Sequence, residues 1–255
     1  MILMDTSILE YIPKRIISLV PSQTELLHSL GLENETVGIT RFCIHPNNWY
    51  ITRTRVGGTK SINIPTVYSL QPDLVIANKE ENIKEQVEEI AMKYPVWVTD
   101  VNDLEGAMKM IKDIGDLTGK QRESAHLIEK IIEAFLTVSK IDKVKTCYLI
   151  WKDPYMTIGG DTFINDMLGR AGFENVFAGK TRYPETGISE IRQSECRLVL
   201  LSSEPYPFKQ KHIKEMQEKL PECKIILVNG EMFSWYGSRL LQAPAYFRSL
   251  AESVR

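Results

Sequence analysis

No run of about 18 apolar residues occurs in the 255-residue chain, so no membrane span is expected. The four cysteines, Cys43, Cys147, Cys196 and Cys223, form no Cys-x-x-Cys pair, which removes the common structural zinc spacing. The last three read as small buried hydrophobes in or beside strands. An excess of positive charge is missing too: 31 Lys and Arg against 33 Asp and Glu give a net charge of -2 and no basic footprint for nucleic acid. Neither a G-x-G-x-x-G fingerprint nor a P-loop is present, and Gly159-Gly160 before Asp161 and Thr162 fits neither spacing. The opening MILMDTSILEYIPKR lacks a secretory pattern, because Asp5 and Glu10 interrupt its apolar residues and no small-residue cleavage site follows. The expectation from these absences is a cytoplasmic globular protein. Nothing in the sequence sets an oligomeric state.

What is present is a regular alternation. RIISLV (15–20), ETVGIT (35–40), LVIA (74–77) and VWVT (96–99) are short apolar runs, as parallel strands covered on both faces require. Helical patterns lie between them, the first with a capping-box spacing from Ser22 to Glu25. Residues 120–140 contain no Gly or Pro, and Ile128, Ile131, Ile132, Phe135 and Val138 recur there at helical spacing, which predicts a rigid strut. The second half replays the first. TCYLIWK (146–152) leads into a stretch echoing residues 21–46, with Gly31 matching Gly172 and Thr40-Arg41-Phe42 matching Thr181-Arg182-Tyr183. DLVIANKE (73–80) likewise matches RLVLLSSE (197–204). A last helix is expected from near Ser238, kinked at Pro244.

The expected fold class is therefore α/β, with two similar Rossmann-like lobes of parallel sheet joined by one long backbone helix and a ligand cleft between the lobes. The expected boundaries are an N-terminal segment 1–14, a first lobe 15–118, the backbone helix 119–141 and a second lobe 142–255. Clefts between lobes are where small molecules usually bind.

Strand-P-S-x-T-E-L-x-x-x-L-G at the start, together with the L-x-P-D-L-V-I element around Pro72-Asp73, resembles the helical-backbone receptors of ABC transporters for cobalamin, siderophores and haem. The resemblance covers residues 15 to about 250. It implies non-enzymatic binding of a corrinoid, haem or ferric chelate as ligand, with no covalent cofactor. It also implies an acidic permease-docking residue on each lobe. Those positions fall on Pro65 and near Ser189, with Glu190 one place away, and a proline supplies no charge. This departure counts against docking to an ABC permease. Rings often line the cleft of cobalamin-binding relatives where this chain has Thr59 and Asn78.

Four stretches carry the candidate site. In TRFCIHP (40–46), Phe42 offers a ring to stack on a ligand and Arg41 a partner for a carboxylate. Cys43 or His45 there could bond axially to a ligand-borne metal. TRYPE (181–185) mirrors it with Arg182 and Tyr183. EMFSWYGSR (231–239) adds Trp235, Tyr236 and Arg239, and WKDPYMTIGGDT (151–162) adds Trp151, while Lys79, Glu80 and Glu204 are candidates for the rim. An enzyme using Cys43 as nucleophile with His45 as base is the rival reading. It needs a depressed thiol pKa, and residues two apart on an extended loop point to opposite sides.

Overall fold

The structure, a computed structural model, describes residues 1–3, 9–138 and 143–254. The chain forms two compact units. Met1–Val101, Glu105–Ile131 and Tyr236–Arg239 make the first, and Asn102–Leu104, Ile132–Trp235 and Leu240–Arg255 the second.

The first unit runs β1 (Ile2–Leu3), β2 (Ile16–Ser18), α1 (Pro21–Ser29), β3 (Thr36–Ile39), α2 (Asn47–Thr52) and β4 (Thr54–Arg55). A small hairpin of β5 (Gly57–Gly58) and β6 (Ser61–Ile62) follows, then α3 (Ile64–Ser69), β7 (Leu74–Asn78), α4 (Lys84–Ala91) and β8 (Val96–Thr99). Six of these strands form one sheet in the order β1-β8-β7-β2-β3-β4, and every pairing within it is parallel. Its central strands are covered on both faces, and Ile17, Val75, Ile76 and Val96 have no exposed surface. Each such side chain contributes on the order of 1.5–3 kcal/mol.

Helices α5 (Leu104–Thr118) and α6 (Gln121–Leu136) lead into the second unit, and the division between units falls inside α6. Gly119, at φ +69°, ends α5 in the left-handed conformation. The helix expected over 119–141 is observed as Gln121–Leu136, and residues 139–141 lie outside the described residues.

The second unit contains β9 (Val144–Leu149), α7 (Phe163–Arg170), β10 (Phe173–Asn175), α8 (Ile188–Gln193), β11 (Leu198–Ser202), α9 (Gln210–Lys219), β12 (Lys224–Val228), α10 (Glu231–Ser234) and α11 (Ala243–Val254). Its parallel sheet has the order β10-β9-β11-β12. Read as β12-β11-β9-β10, this repeats β8-β7-β2-β3 strand for strand, so the internal repeat seen in the sequence is a repeat of topology. Gly31 (φ +72°) and Gly172 (φ +90°) both terminate the helix that follows the unit's central strand.

Several local expectations are corrected. Ser22 is not a helix cap: Val20 is the cap residue, Pro21 opens α1, and Ser22 is buried inside the first turn. Pro244 does not kink the last helix. It sits at the start of α11, where its missing N–H costs nothing, and Ser238–Leu241 is a separate 3-10 turn. The N-terminal segment supplies an edge strand, Ile2 and Leu3 pairing with Val96 and Trp97.

Gly57 adopts φ +104°, and a Cβ there would meet Ser61 O at 2.4 Å. Gly57→Ala is expected to destabilise the first unit by at least about 2 kcal/mol. Urea denaturation followed by circular dichroism measures this.

Candidate functional site

In open parallel sheets, ligands bind outside the carboxyl ends of the strands. In the first unit that edge is formed by the residues after β2, β3, β7 and β8 and by the β5–β6 hairpin, and buried polar side chains knit it together. Asn78 ends β7. Its N–H donates to Asn82 Oδ1 (2.8 Å), its Oδ1 accepts from Glu80 N–H (2.8 Å) and Glu81 N–H (3.1 Å), and its Nδ2 donates to Thr99 O (3.1 Å). Asn82 Nδ2 in turn donates to Thr59 O (3.1 Å) and Leu19 O (3.3 Å). Two asparagines thus join four loops. Asn78 and Thr59 are buried parts of this knot, which the sequence comparison with aromatic positions did not foresee.

Above the knot, TRFCIHP separates into buried and exposed residues. Arg41 and Phe42 are exposed, Phe42 by 50%, and the Arg41 guanidinium lies 5.2 Å from the Phe42 ring centroid. Both rest on Gly58, where a Cβ would come within 3.1 Å of Phe42 Cε2 and 3.2 Å of Arg41 Nε. Cys43 points the other way and has no exposed surface. Its Sγ is 3.0 Å from Thr24 Oγ1 and 3.2 Å from Thr40 Oγ1. Burial raises the thiol pKa, and the two threonine hydrogen bonds only partly oppose it. The expectation of Cys43 as metal ligand or nucleophile is therefore corrected: the group is a protonated thiol sealed in the core. His45 is half-buried on the same loop, directly before α2.

Arg239 and Tyr236 belong to the first unit, and neither is an open contact surface. Arg239, 7% exposed, grips Glu25 of the P-S-x-T-E-L motif through Nε to Oε2 (3.0 Å) and Nη2 to Oε1 (2.7 Å). That bidentate pair holds the 3-10 turn against α1, which corrects the expectation of Arg239 as a ligand anchor. Tyr236 is likewise 7% exposed.

The second unit builds its edge differently. After β9 the chain turns back at Trp151, whose O accepts from Met156 N–H (3.2 Å). Residues 157–160 then pair with 180–184 through Thr157 N–H to Pro184 O (2.9 Å), Gly159 N–H to Arg182 O (2.7 Å) and Gly160 N–H to Lys180 O (2.9 Å). Cβ atoms at Gly159 and Gly160 would meet backbone at 2.4 and 2.2 Å, so these glycines permit close backbone approach.

Arg182 sits at φ +56°, a left-handed conformation that disfavours any residue with a Cβ. Asp161 helps hold it there: Oδ1 accepts Arg182 N–H at 2.6 Å, and Oδ2 lies 3.8 Å from the guanidinium. Asp161 is thus a loop staple, and Thr162 caps α7 by accepting from Asn165 N–H. The Arg182 guanidinium lies 5.9 Å from the half-buried Tyr183 ring.

Trp151 is 40% exposed. Trp235 is only 7% exposed, its Nε1 donating to Glu204 Oε1 at 3.0 Å, so it wedges its loop in place instead of offering a face. Glu204, expected at the rim, also accepts from Ser234 Oγ. Lys79 pairs with Asp100 at 2.7 Å on the surface. Cys147, Cys196 and Cys223 lie in the second unit's core; burial raises all three thiols, Cys196 to about 12.

The two positions counted against permease docking now have surroundings. Exposed Pro65 shares a surface groove with Glu89, so a carboxylate stands beside the uncharged proline. Glu190 is held by Lys180 and by Thr186 Oγ1 (2.9 Å), and the Lys180 contact lowers its pKa.

Comparison with known proteins narrows the reading. A family profile described as periplasmic binding protein matches residues 16–222. The uncharacterized ABC transporter substrate-binding lipoprotein YvrC of Bacillus subtilis (strain 168) is 31% identical over 182 residues, 66% of this chain and 57% of that protein. The chain thus spans little more than half the length of that relative. A vitamin B12-binding protein of Vibrio campbellii (strain ATCC BAA-1116) is 28% identical over 193 residues, 71% of this chain and 69% of that one. The solved structure of periplasmic haem-binding protein RhuT from Roseiflexus sp. RS-1 is similar in fold, with a TM-score of 0.80 at 17% identity, covering 93% of this chain and 99% of that one. Among the described residues no helix is long and apolar enough to cross a membrane. The cytoplasmic expectation finds no support in the family profile, described as periplasmic binding protein, or in the Bacillus relative, named as a lipoprotein. The expectation against permease docking finds none either, since the Bacillus relative is named as an ABC transporter component.

Two outcomes test the site's construction. Asn82→Ala, which strands the groups at Asn78, Thr59 and Leu19, is expected to cost about 3 kcal/mol in a denaturant titration. At pH 8 the native protein is expected to leave all four thiols unmodified by maleimide over a time in which the urea-unfolded chain takes up four, counted by intact mass.

Proposed function

Since the chain belongs to the periplasmic binding protein family, we propose that it binds a metal chelate or tetrapyrrole-like ligand without transforming it, using the loops at the carboxyl edge of each sheet. The observation that carries this is the repeated pairing of an exposed arginine with the ring that follows it, Arg41 over Phe42 and Arg182 over Tyr183. A ring offers a flat apolar face to a conjugated macrocycle, and a guanidinium fork offers two hydrogen bonds to an acidic substituent. Trp151 adds a third ring. Each ring that a ligand covers contributes about 1–3 kcal/mol.

A corrinoid is the first ligand class, in keeping with the vitamin B12-binding relative. Haem is the second reading, since an arginine beside a ring suits a flat macrocycle with carboxylates, whereas the corrin periphery of cobalamin carries amides. A ferric siderophore is the third. Within TRFCIHP the proposed axial ligand to a ligand-borne metal is the half-buried His45, since Cys43 has no exposed surface. The reading includes export, to the periplasm or the outer face of the membrane, and delivery of the ligand to an ABC permease.

The left-handed backbone at Arg182 supports a functional role, since a non-glycine residue there carries a cost that glycine would remove. Arg182→Gly is expected to raise stability by about 1 kcal/mol and to weaken ligand binding about tenfold. Absorbance titration with cobalamin, cobinamide and haem, on wild type, Arg182→Gly and His45→Ala, measures the effect. A saturable shift lost in His45→Ala assigns the axial bond. No shift with any of the three ligands overturns both the corrinoid and the haem reading.

A further inference from the structure

Of the four tryptophans, Trp49, Trp97 and Trp235 are 1%, 7% and 7% exposed, whereas Trp151 is 40% exposed. What holds its ring at the surface is a second row of aromatic groups. The Trp151 ring meets Tyr206 edge-on at 5.7 Å between centroids. Tyr206 lies on the loop after β11, its N–H donates to Ile150 O at 3.3 Å, and its ring packs on Phe208 (4.7 Å) and His212 (5.5 Å). His212, in the first turn of α9, is buried. Its Nδ1 accepts Lys209 N–H at 2.8 Å, which leaves the proton of the neutral ring on Nε2, 3.4 Å from the Tyr206 hydroxyl. One imidazole thus caps a helix with one nitrogen and faces a tyrosine with the other.

We infer that Tyr206, seated by His212, is a positioning residue that holds the Trp151 ring ready for a ligand, and that protonation of His212 releases this hold. The inference rests on the ligand-contact role proposed for Trp151. A proton on Nδ1 removes the acceptor for Lys209 N–H and adds a charge between the buried Phe208 ring and the half-buried Tyr206 ring. The groups around the imidazole are Lys209 at the cap of its helix, Lys211 and Glu215 on the helix, Lys152 from the loop after β9, and Tyr206 from the loop after β11. Lys152 is itself paired with Glu215 at 2.5 Å. Burial first, then Lys152, holds the imidazole below its ordinary value of 6.5, with Glu215 opposing. The neutral form is therefore the native one. Its advantage is complete above 6.5 and is lost as the pH falls from there through the lowered folded value.

Acrylamide quenching of tryptophan emission, taken as wild type minus Trp151→Phe, isolates the exposed indole. From pH 7.5 to 5 its quenching constant is expected to rise about twofold in wild type. It should stay flat in His212→Asn, whose amide oxygen accepts the same N–H and takes no proton. Tyr206→Leu should show the high constant at every pH, and Tyr206→Phe, which keeps the ring, should restore the low one at pH 7.5. Haem or cobinamide affinity at pH 7.5 should fall several-fold in Tyr206→Leu and recover in Tyr206→Phe, with far-ultraviolet circular dichroism unchanged. A wild-type constant that is flat with pH, or an equal rise in His212→Asn, overturns the inference. If neither ligand binds wild type, the proposed function fails, while the quenching series still decides whether Tyr206 and His212 seat the ring.

Discussion

The bidentate bond between Glu25 and Arg239 joins residues 214 positions apart, on the helix whose neighbouring Thr24 seats the Cys43 loop. Arg239 lies in a segment, Tyr236–Arg239, that packs with the first unit although the chain on either side of it belongs to the second. Helix α1 carries Glu25 outward and Thr24 inward. Thr24 Oγ1 lies 2.8 Å from Ser18 Oγ, 2.9 Å from Val20 O and 3.0 Å from Cys43 Sγ. Removing either charged partner would strand the other at low exposure, a penalty much larger than the net worth of the pair. The same helical turn therefore serves two ends: it fixes the late segment, and it seats the loop that displays Arg41 and Phe42.

The two edges reach a similar result by different means. Each unit presents an arginine beside a ring after the strands of a parallel sheet, but the first supports it with buried asparagines and the second with a short antiparallel backbone ladder. That difference explains why the sequence match of Thr40-Arg41-Phe42 to Thr181-Arg182-Tyr183 is imperfect in space. The first triplet follows β3 at once, whereas the second comes six residues after β10, on a loop of its own. Position at the carboxyl edge is shared; the backbone that produces it is not.

Much of the fold was legible in the sequence because parallel strands covered on both faces must be near-continuous apolar runs. VWVT (96–99) is β8, and LVIA is four of the five residues of β7. Helix starts were less legible. Ser22 and Glu25 matched a cap spacing, yet Pro21 claims the first helical position, and the two residues are spent on burial and on Arg239. At the candidate site, side-chain directions were not legible. Composition marks EMFSWYGSR as aromatic but does not say that Glu204 would take the Trp235 indole inward. TRFCIHP likewise does not reveal that Cys43 turns toward Thr24 while Phe42 turns toward solvent. Tyr206 had no signal beyond its place after a strand, and Asp161, which the sequence offers as a helix cap, leaves that role to Thr162 and holds Arg182 N–H instead.

The burial of all four thiols has a practical side. A chain whose native cysteines are shielded by packing is already prepared for chemical labelling, without the usual background substitutions. A single cysteine introduced at an exposed position on the Arg182 loop would stand as the one reactive sulfur in the native protein. Under the proposed function, a dye attached there would report ligand binding as a change in brightness, so that the label becomes a direct readout of occupancy.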